Sequence, residues 1–286
     1  MSMINYKKGD RVKHPKMQKW GLGEVLGSSD GESVDVFFVG VGKKTLSKNA
    51  VLAKITGETA VNLMLDNIII TPGKIKFVNI SEVIKFFLKR FPKGFYEEEF
   101  IEKERESKVK AHDLSVELLN KDAFLTLLQE KNYSELSKRA LKVINATNLI
   151  FPNEKMSLKE GLKTPSVQRE FSEKLYDLLF DEDDELQNRF EAFSTFLESI
   201  EAAKWTTASY FLFVHFPQTY MFVKPTVTRN VSKLCGFEIN YQPKLNWLTY
   251  NSVLKFSSYL NTELLNLEPR DMIDVQSFMW CIEKYE

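Results

Sequence analysis

The sequence predicts an α+β protein in which a small N-terminal β-barrel precedes a larger all-α helical domain. Three observations carry this prediction. Residues 9–46 are short apolar stretches of two-residue period separated by Gly-rich turns, the pattern of a compact β unit. Beyond about residue 57 the apolar residues recur at three- and four-residue steps, the period of helices buried on one face. The length of 286 residues exceeds that of a usual single domain, so a small module on a larger body is expected. These shifts set boundaries of 1–56 for the barrel, 57–80 for a connector and 81–286 for the helices.

In chain order, "DRVKH" begins the first strand and the Gly-bracketed "WGLGEVL" the second. "SSDG" at 28–31 marks a turn, "SVDVFFV" puts Val34, Val36 and Phe38 on one face, "GVG" turns again and "KKTL" pairs back. Such short strands close or half-close into a barrel with little core of its own, which leans on a neighbour or partner.

The connector "VNLMLDNIIITPGKIKF" suits a strand or a packed segment and breaks at Pro72-Gly73. "SEVIKFFLKRF" then places Val83, Ile84, Phe87, Leu88 and Phe91 on one helical face behind a Ser81 cap. Further helices are expected near 97–120, 122–131, 134–146, 165–180, 184–203, 205–216, 226–235, 250–266 and 270–284. Thr164 is a cap followed by Pro165 at the first helical position, and Gly236 is a natural stop. The acidic turn "FDEDDELQ" leads into a helix whose positive end favours carboxylates.

Charge is balanced overall at 39 Lys/Arg against 39 Asp/Glu, yet residues 1–54 hold ten Lys/Arg against five Asp/Glu. The front end is therefore the part that seeks anions. Lys13, His14, Lys16 and Lys19 run up to Trp20, and barrel closure would bring Lys43 and Lys44 to the same rim. Basic side chains beside an aromatic can grip a phosphate backbone while the ring stacks on a base or an arginine. The alternative is that Trp20 plugs the small core and the lysines are merely solvated.

The residues Gly9, Asp10, Val12, His14, Pro15, Trp20, Gly21, Gly23, Val25, Phe38, Gly42, Lys44 and Thr45 follow a pattern of GD-x-V-x-H-P, W-G-x-G-x-V and F-x-x-x-G-x-K-T. In this the front resembles a Tudor/SH3-like module of a small bacterial domain family of unknown function. More distantly it is similar to the C-terminal Tudor-like domain of UvrD/PcrA helicases and to the RNA-polymerase-interacting domain of CarD and the transcription-repair coupling factor. The resemblance implies docking on RNA polymerase, with nucleic acid as the lesser expectation. The blocks "RFPKGF", "KVKAH", "TNLIFP", "FVKP", "NWLTY" and "DMIDVQSFMW" resemble those of bacterial proteins with the same front module, a likeness that implies no activity.

Two places in the helical domain could carry chemistry. In "IEKERESKVKAHDLSVELL", Glu104, Lys108, Ala111, His112 and Ser115 share one helix face with Arg105 at its edge. Charge on a core-facing stripe means a buried ion-pair network, the commoner case, or a ligand cleft in which Glu104, Lys108 and His112 would do acid–base work. In "HFPQTYMFVKPTVTRNVSKLCGF", Pro217 ends one helix and Pro225 opens the next, so Lys224, Thr226, Thr228, Arg229 and Lys233 form a candidate phosphate site at a helix start. Tyr220, Met221, Phe222 and Val223 read more simply as a buried connection. Asp271 reads as a carboxylate of a helix's first turn, and Gln276 as a partner for a buried backbone group.

No nucleotide-binding P-loop, dinucleotide fingerprint or HExxH occurs, and three histidines leave metal catalysis little to work with, so no cofactor and no metal are expected. Cys235 and Cys281 each stand alone, without a zinc or disulfide pattern. "MSMINYKKGD" lacks a signal-peptide stretch, and the longest apolar run, "ASYFLFVHF", is far short of the roughly 20 residues a membrane helix needs. A cytoplasmic protein without membrane partners is expected. The leading reading is a non-enzymatic adaptor that docks on RNA polymerase or a DNA-maintenance complex. The alternatives are direct DNA or RNA binding in repair or phage defence, and an enzyme using the Glu104/Lys108/His112 face.

Overall fold

The computed structural model describes residues 6–27, 32–47, 49–69 and 78–285. The turn expected at 28–31 and the break at Pro72-Gly73 lie outside these residues. The chain divides into two compact units: residues up to Phe86 with Asn230–Ile239, and Phe87–Arg229 with Asn240–Glu286.

The first unit is built on five antiparallel strands, β1 (Arg11–Lys13), β2 (Leu22–Gly27), β3 (Ser33–Phe38), β4 (Gly42–Ser47) and β5 (Ala53–Ile55), in the order β4-β3-β2-β1-β5. Among the described residues the sheet is open, with β4 and β5 at its edges; the three-residue β5 offers little ladder for closure into the expected barrel. Alternation works as expected: Val34, Val36 and Phe38 join Val12, Val25 and Leu52 in one buried cluster. Tyr6, Trp20, Val41 and Leu46 pack against it, partly buried.

The opposite face of the sheet carries buried Phe37 and Leu22 together with paired charges. Arg11 pairs with Glu24 and Asp66, while Lys43 pairs with Asp35 at 2.9 Å, whose carboxylate also accepts from Thr45 Oγ1 at 2.6 Å. At its margin Lys54 bonds Asp10 at 2.6 Å and holds that carboxyl below its ordinary range.

Residues 230–239 complete this unit. Glu238 N donates to Asn67 O at 2.6 Å, Ile69 N to Gly236 O at 2.9 Å and Val78 N to Leu234 O at 3.1 Å. Gly236 has φ 72°, the left-handed turn that lets the chain reverse after a helix. Helix α1 (Ile80–Arg90) begins one residue before the expected cap. The cap is therefore Asn79, whose Oδ1 accepts from Ser81 N at 2.9 Å, and not Ser81.

The second unit is helical. It contains α2 (Glu98–Phe100), α3 (Glu106–Leu118), α4 (Lys121–Gln129), α5 (Tyr133–Asn145), α6 (Pro152–Gly161), α7 (Pro165–Phe180), α8 (Leu186–Ser199) and α9 (Trp205–His215). Helix α10 (Pro225–Cys235) is divided between the two units after Arg229, and α11 (Trp247–Glu263) and α12 (Met272–Ile282) follow in the second. Every residue of α9 is buried, which explains why "ASYFLFVHF" is apolar all round and yet spans nothing. No helix among the described residues is long and apolar enough to cross a membrane. Thr164 caps α7 ahead of Pro165 as expected, its Oγ1 accepting from Val167 N at 3.4 Å.

Two features depart from the periodicity reading. Helix α6 was not expected; only Leu158 of it is buried, so it carries no apolar stripe. Between α2 and α3 the chain makes a π turn over Ile101–Arg105, with Glu106 N bonded to Ile101 O five residues back.

Candidate functional site

On the front module the short helical turn Gln18–Trp20 sets the indole beside the core. Gly40 N donates to Trp20 O at 3.0 Å, and a Cβ on Gly40 would stand 2.5 Å from Lys19 O, so only glycine admits this approach. The Trp20 ring lies 5.1 Å from Phe38 and 5.0 Å from His14, with the Lys44 ammonium 6.0 Å from its centroid. The indole packs on the core and is only partly buried.

Lys44 lies on the core side of β4 and reaches back to Trp20, whereas Lys43 points to the other face and is paired with Asp35. The two do not share a rim, because neighbouring residues of a strand face opposite ways. Lys13, Lys16 and Lys19 are exposed, and none has a carboxylate partner among the described residues. His14, Trp20 and Lys44 therefore form one cluster in the segment that also carries the exposed Lys16 and Lys19, whereas Lys13, next to core-facing Val12 on β1, lies with Arg11 on the other face.

In the helical unit the π turn organises a second polar site. Arg105 makes a bidentate pair with Asp271 at 2.7 and 2.6 Å and bonds Asp274 at 2.9 Å. Burial works against the Arg105 charge, yet these carboxylates hold its pKa above the ordinary value. Asp274, fully buried, also receives Arg270 Nε at 2.8 Å and Arg270 N at 2.9 Å. Asp271 serves as the N-cap of α12, as expected for a first-turn carboxylate.

Lys108 is buried beside this network. Its Nζ donates to Glu104 O and, at 2.9 Å, to Ser277 Oγ. Burial pushes its pKa down to about 8, opposed by Glu104, Cys281 and Asp274, and burial likewise raises Glu104. Glu104 and Lys108 line one cavity of about 260 Å³ together with Lys224, Asn148, Gln276 and Trp280. Gln276, expected to serve a buried backbone group, instead has its Oε1 buried without a hydrogen-bond partner.

His112 is not part of this cavity. Its Nδ1 donates to Val214 O at 2.7 Å, and neighbouring Ser115 Oγ lies 3.0 Å from His215 Nδ1. Lys224 leaves the start of α10 and donates to Leu149 O at 2.9 Å, its ammonium 3.6 Å from the Phe151 ring centroid. Thr228 is buried, Thr226 and Lys233 are exposed, and Arg229 lies over Tyr241 at 4.8 Å. The gathering of Lys224 with Lys108 in one cavity has no local sequence signal.

His215 yields a pH prediction. Burial first, and then His112, push its pKa down to about 4 from an ordinary 6.5. The unfolded chain takes up a proton below about pH 6.5 while the folded chain stays neutral to about pH 4. Stability is therefore intact above that window and lost as pH falls through it, by about 3 kcal/mol in all. Urea midpoints across this range should fall more steeply for the parent than for His215→Gln; equal slopes would assign the acid loss elsewhere.

Residues 6–55 match the family described as Protein of unknown function (DUF3553). The match coincides with the sheet and with the His14–Trp20–Lys44 cluster and leaves the helical unit outside. No curated protein and no solved structure matches the chain.

Proposed function

We propose that this chain is a binding protein that docks through its front module on RNA polymerase or another nucleoprotein complex. One observation carries the reading: Lys16 and Lys19, in the segment that carries the partly open Trp20, and Lys13 on β1 are exposed and have no carboxylate partner among the described residues, whereas Arg11, Lys43 and Lys54 of the same module have carboxylate partners. Charge left uncompensated next to a flat apolar ring suits an acidic, partly apolar surface. The Tudor/SH3-like pattern of the sequence, with its distant likeness to polymerase-interacting domains, supports the choice of partner. His112 turns to Val214 and stays out of the cavity that holds Glu104 and Lys108, so the acid–base trio is not the reading we advance.

The test uses the full chain with purified RNA polymerase. Binding is expected to weaken with salt, to be lost in the Lys13→Glu/Lys16→Glu/Lys19→Glu variant and in Trp20→Ala, and to survive Lys43→Gln. Equal binding by the triple variant would end the proposal. Direct nucleic-acid binding is the second reading, favoured by the same lysines. Its mark is duplex affinity falling with log salt at a slope of about −2.7 for three phosphate contacts, abolished by the same triple variant.

A further inference from the structure

The cavity of the helical unit carries an inference separate from docking by the front module. Its walls hold two lysine ammoniums, Lys108 and Lys224, against one carboxylate, Glu104, while Lys103 is already bonded to Glu99 at 3.1 Å. Lys108 spends two N–H donors on Glu104 O and Ser277 Oγ, leaving a third unassigned. Asp274 and Glu154 also act on Lys108 and Lys224 from outside the lining, but within the lining itself the ammoniums outnumber the carboxylate, which suits an anion.

A bare anion leaves two features idle. Gln276 is 4% exposed, lines the cavity and has no partner for its Oε1, a buried acceptor that an N–H of a ligand would satisfy. Trp280 lines the same space yet is 49% exposed, offering flat apolar surface on which a ring can stack. The volume of about 260 Å³ lies just below the usual range of ligand cavities, so it suits one small ligand with part of it left toward solvent.

We propose that this cavity binds a nucleoside monophosphate, with the phosphate at Lys108 and Lys224, a base N–H on Gln276 Oε1 and the base plane against Trp280. A free nucleotide and the phosphorylated end of a strand present the same chemistry.

The experiment measures thermal shift and calorimetric binding of the full chain with each of the four ribonucleoside 5′-monophosphates, with inorganic phosphate, with adenosine, and with a 5′-phosphorylated single-stranded oligonucleotide. At least one monophosphate is expected to raise Tm by a few degrees at about one hundred times its Kd. Phosphate and adenosine should each bind at least about tenfold more weakly, having lost one half of the contacts. Gln276→Leu is the decisive variant. Removing an unsatisfied buried acceptor should leave the ligand-free Tm unchanged or raised while weakening the nucleotide about tenfold or more. Lys224→Gln should weaken it comparably. Absence of binding by all monophosphates and the oligonucleotide, or full affinity in Gln276→Leu, overturns the proposal. An oligonucleotide that binds more tightly than any monophosphate and loses affinity in Gln276→Leu identifies a strand end as the source; the reverse order identifies the free nucleotide. Neither result depends on Lys13, Lys16 or Lys19, so failure here and failure of the docking reading are distinguishable.

Discussion

Replacing Asp274 by alanine is expected to destabilise the protein by about 3–5 kcal/mol, because it removes a fully buried carboxylate that two guanidinium groups share. Asp274 has no exposed surface and accepts from Arg105 and Arg270 together, the latter through side chain and backbone. Arg105 keeps Asp271, but Arg270 keeps only Phe95 O and the Tyr96 ring as partners. Asp274→Asn retains an acceptor oxygen and should cost less, which separates lost hydrogen bonding from lost charge. Urea unfolding midpoints check both, and an alanine variant as stable as the parent would refute the buried-charge account.

Phe87→Ala is expected to cost a comparable 3–5 kcal/mol, about what a large core cavity costs. The Phe87 ring touches four others, with centroids 5.2 Å from Phe91, 5.4 Å from Phe95, 5.8 Å from Phe100 and 5.1 Å from Phe278. These come from the segment that follows α1, from α2 and from α12, so truncation opens a void that several elements must collapse to fill. Phe87→Leu keeps most of the volume and should lose less. Thermal melts with near-ultraviolet dichroism would show the difference, and equal melting of the alanine variant and parent would mean that the site relaxes completely.

What the sequence revealed followed from locality. Val34, Val36 and Phe38 announced their shared face through a two-residue period, and Thr164-Pro165 announced a helix start through cap chemistry. The same period separates Lys43 from Lys44. Helix α6 escaped because its first turn is held by polar bonding, Glu154 Oε2 accepting from Phe151 N at 3.1 Å, and not by an apolar stripe. The pairing of Arg105 with Asp271 spans 166 residues, and the π turn that aims it alters helical register by one residue. No window of sequence contains that information. The carboxylates and lysines were visible as candidates, but which of them meet is decided by the tertiary path.

The front unit is discontinuous along the chain, and this bears on how it is made. A fragment ending at residue 86 would hold every strand of the sheet, yet Asn67, Ile69 and Val78 would lack the backbone partners that Glu238, Gly236 and Leu234 supply. During synthesis those partners arrive only after about 150 further residues, on the order of ten seconds later at about 5–20 residues per second. The sheet can therefore form early on the ribosome, while the segment behind it waits for its closing strap.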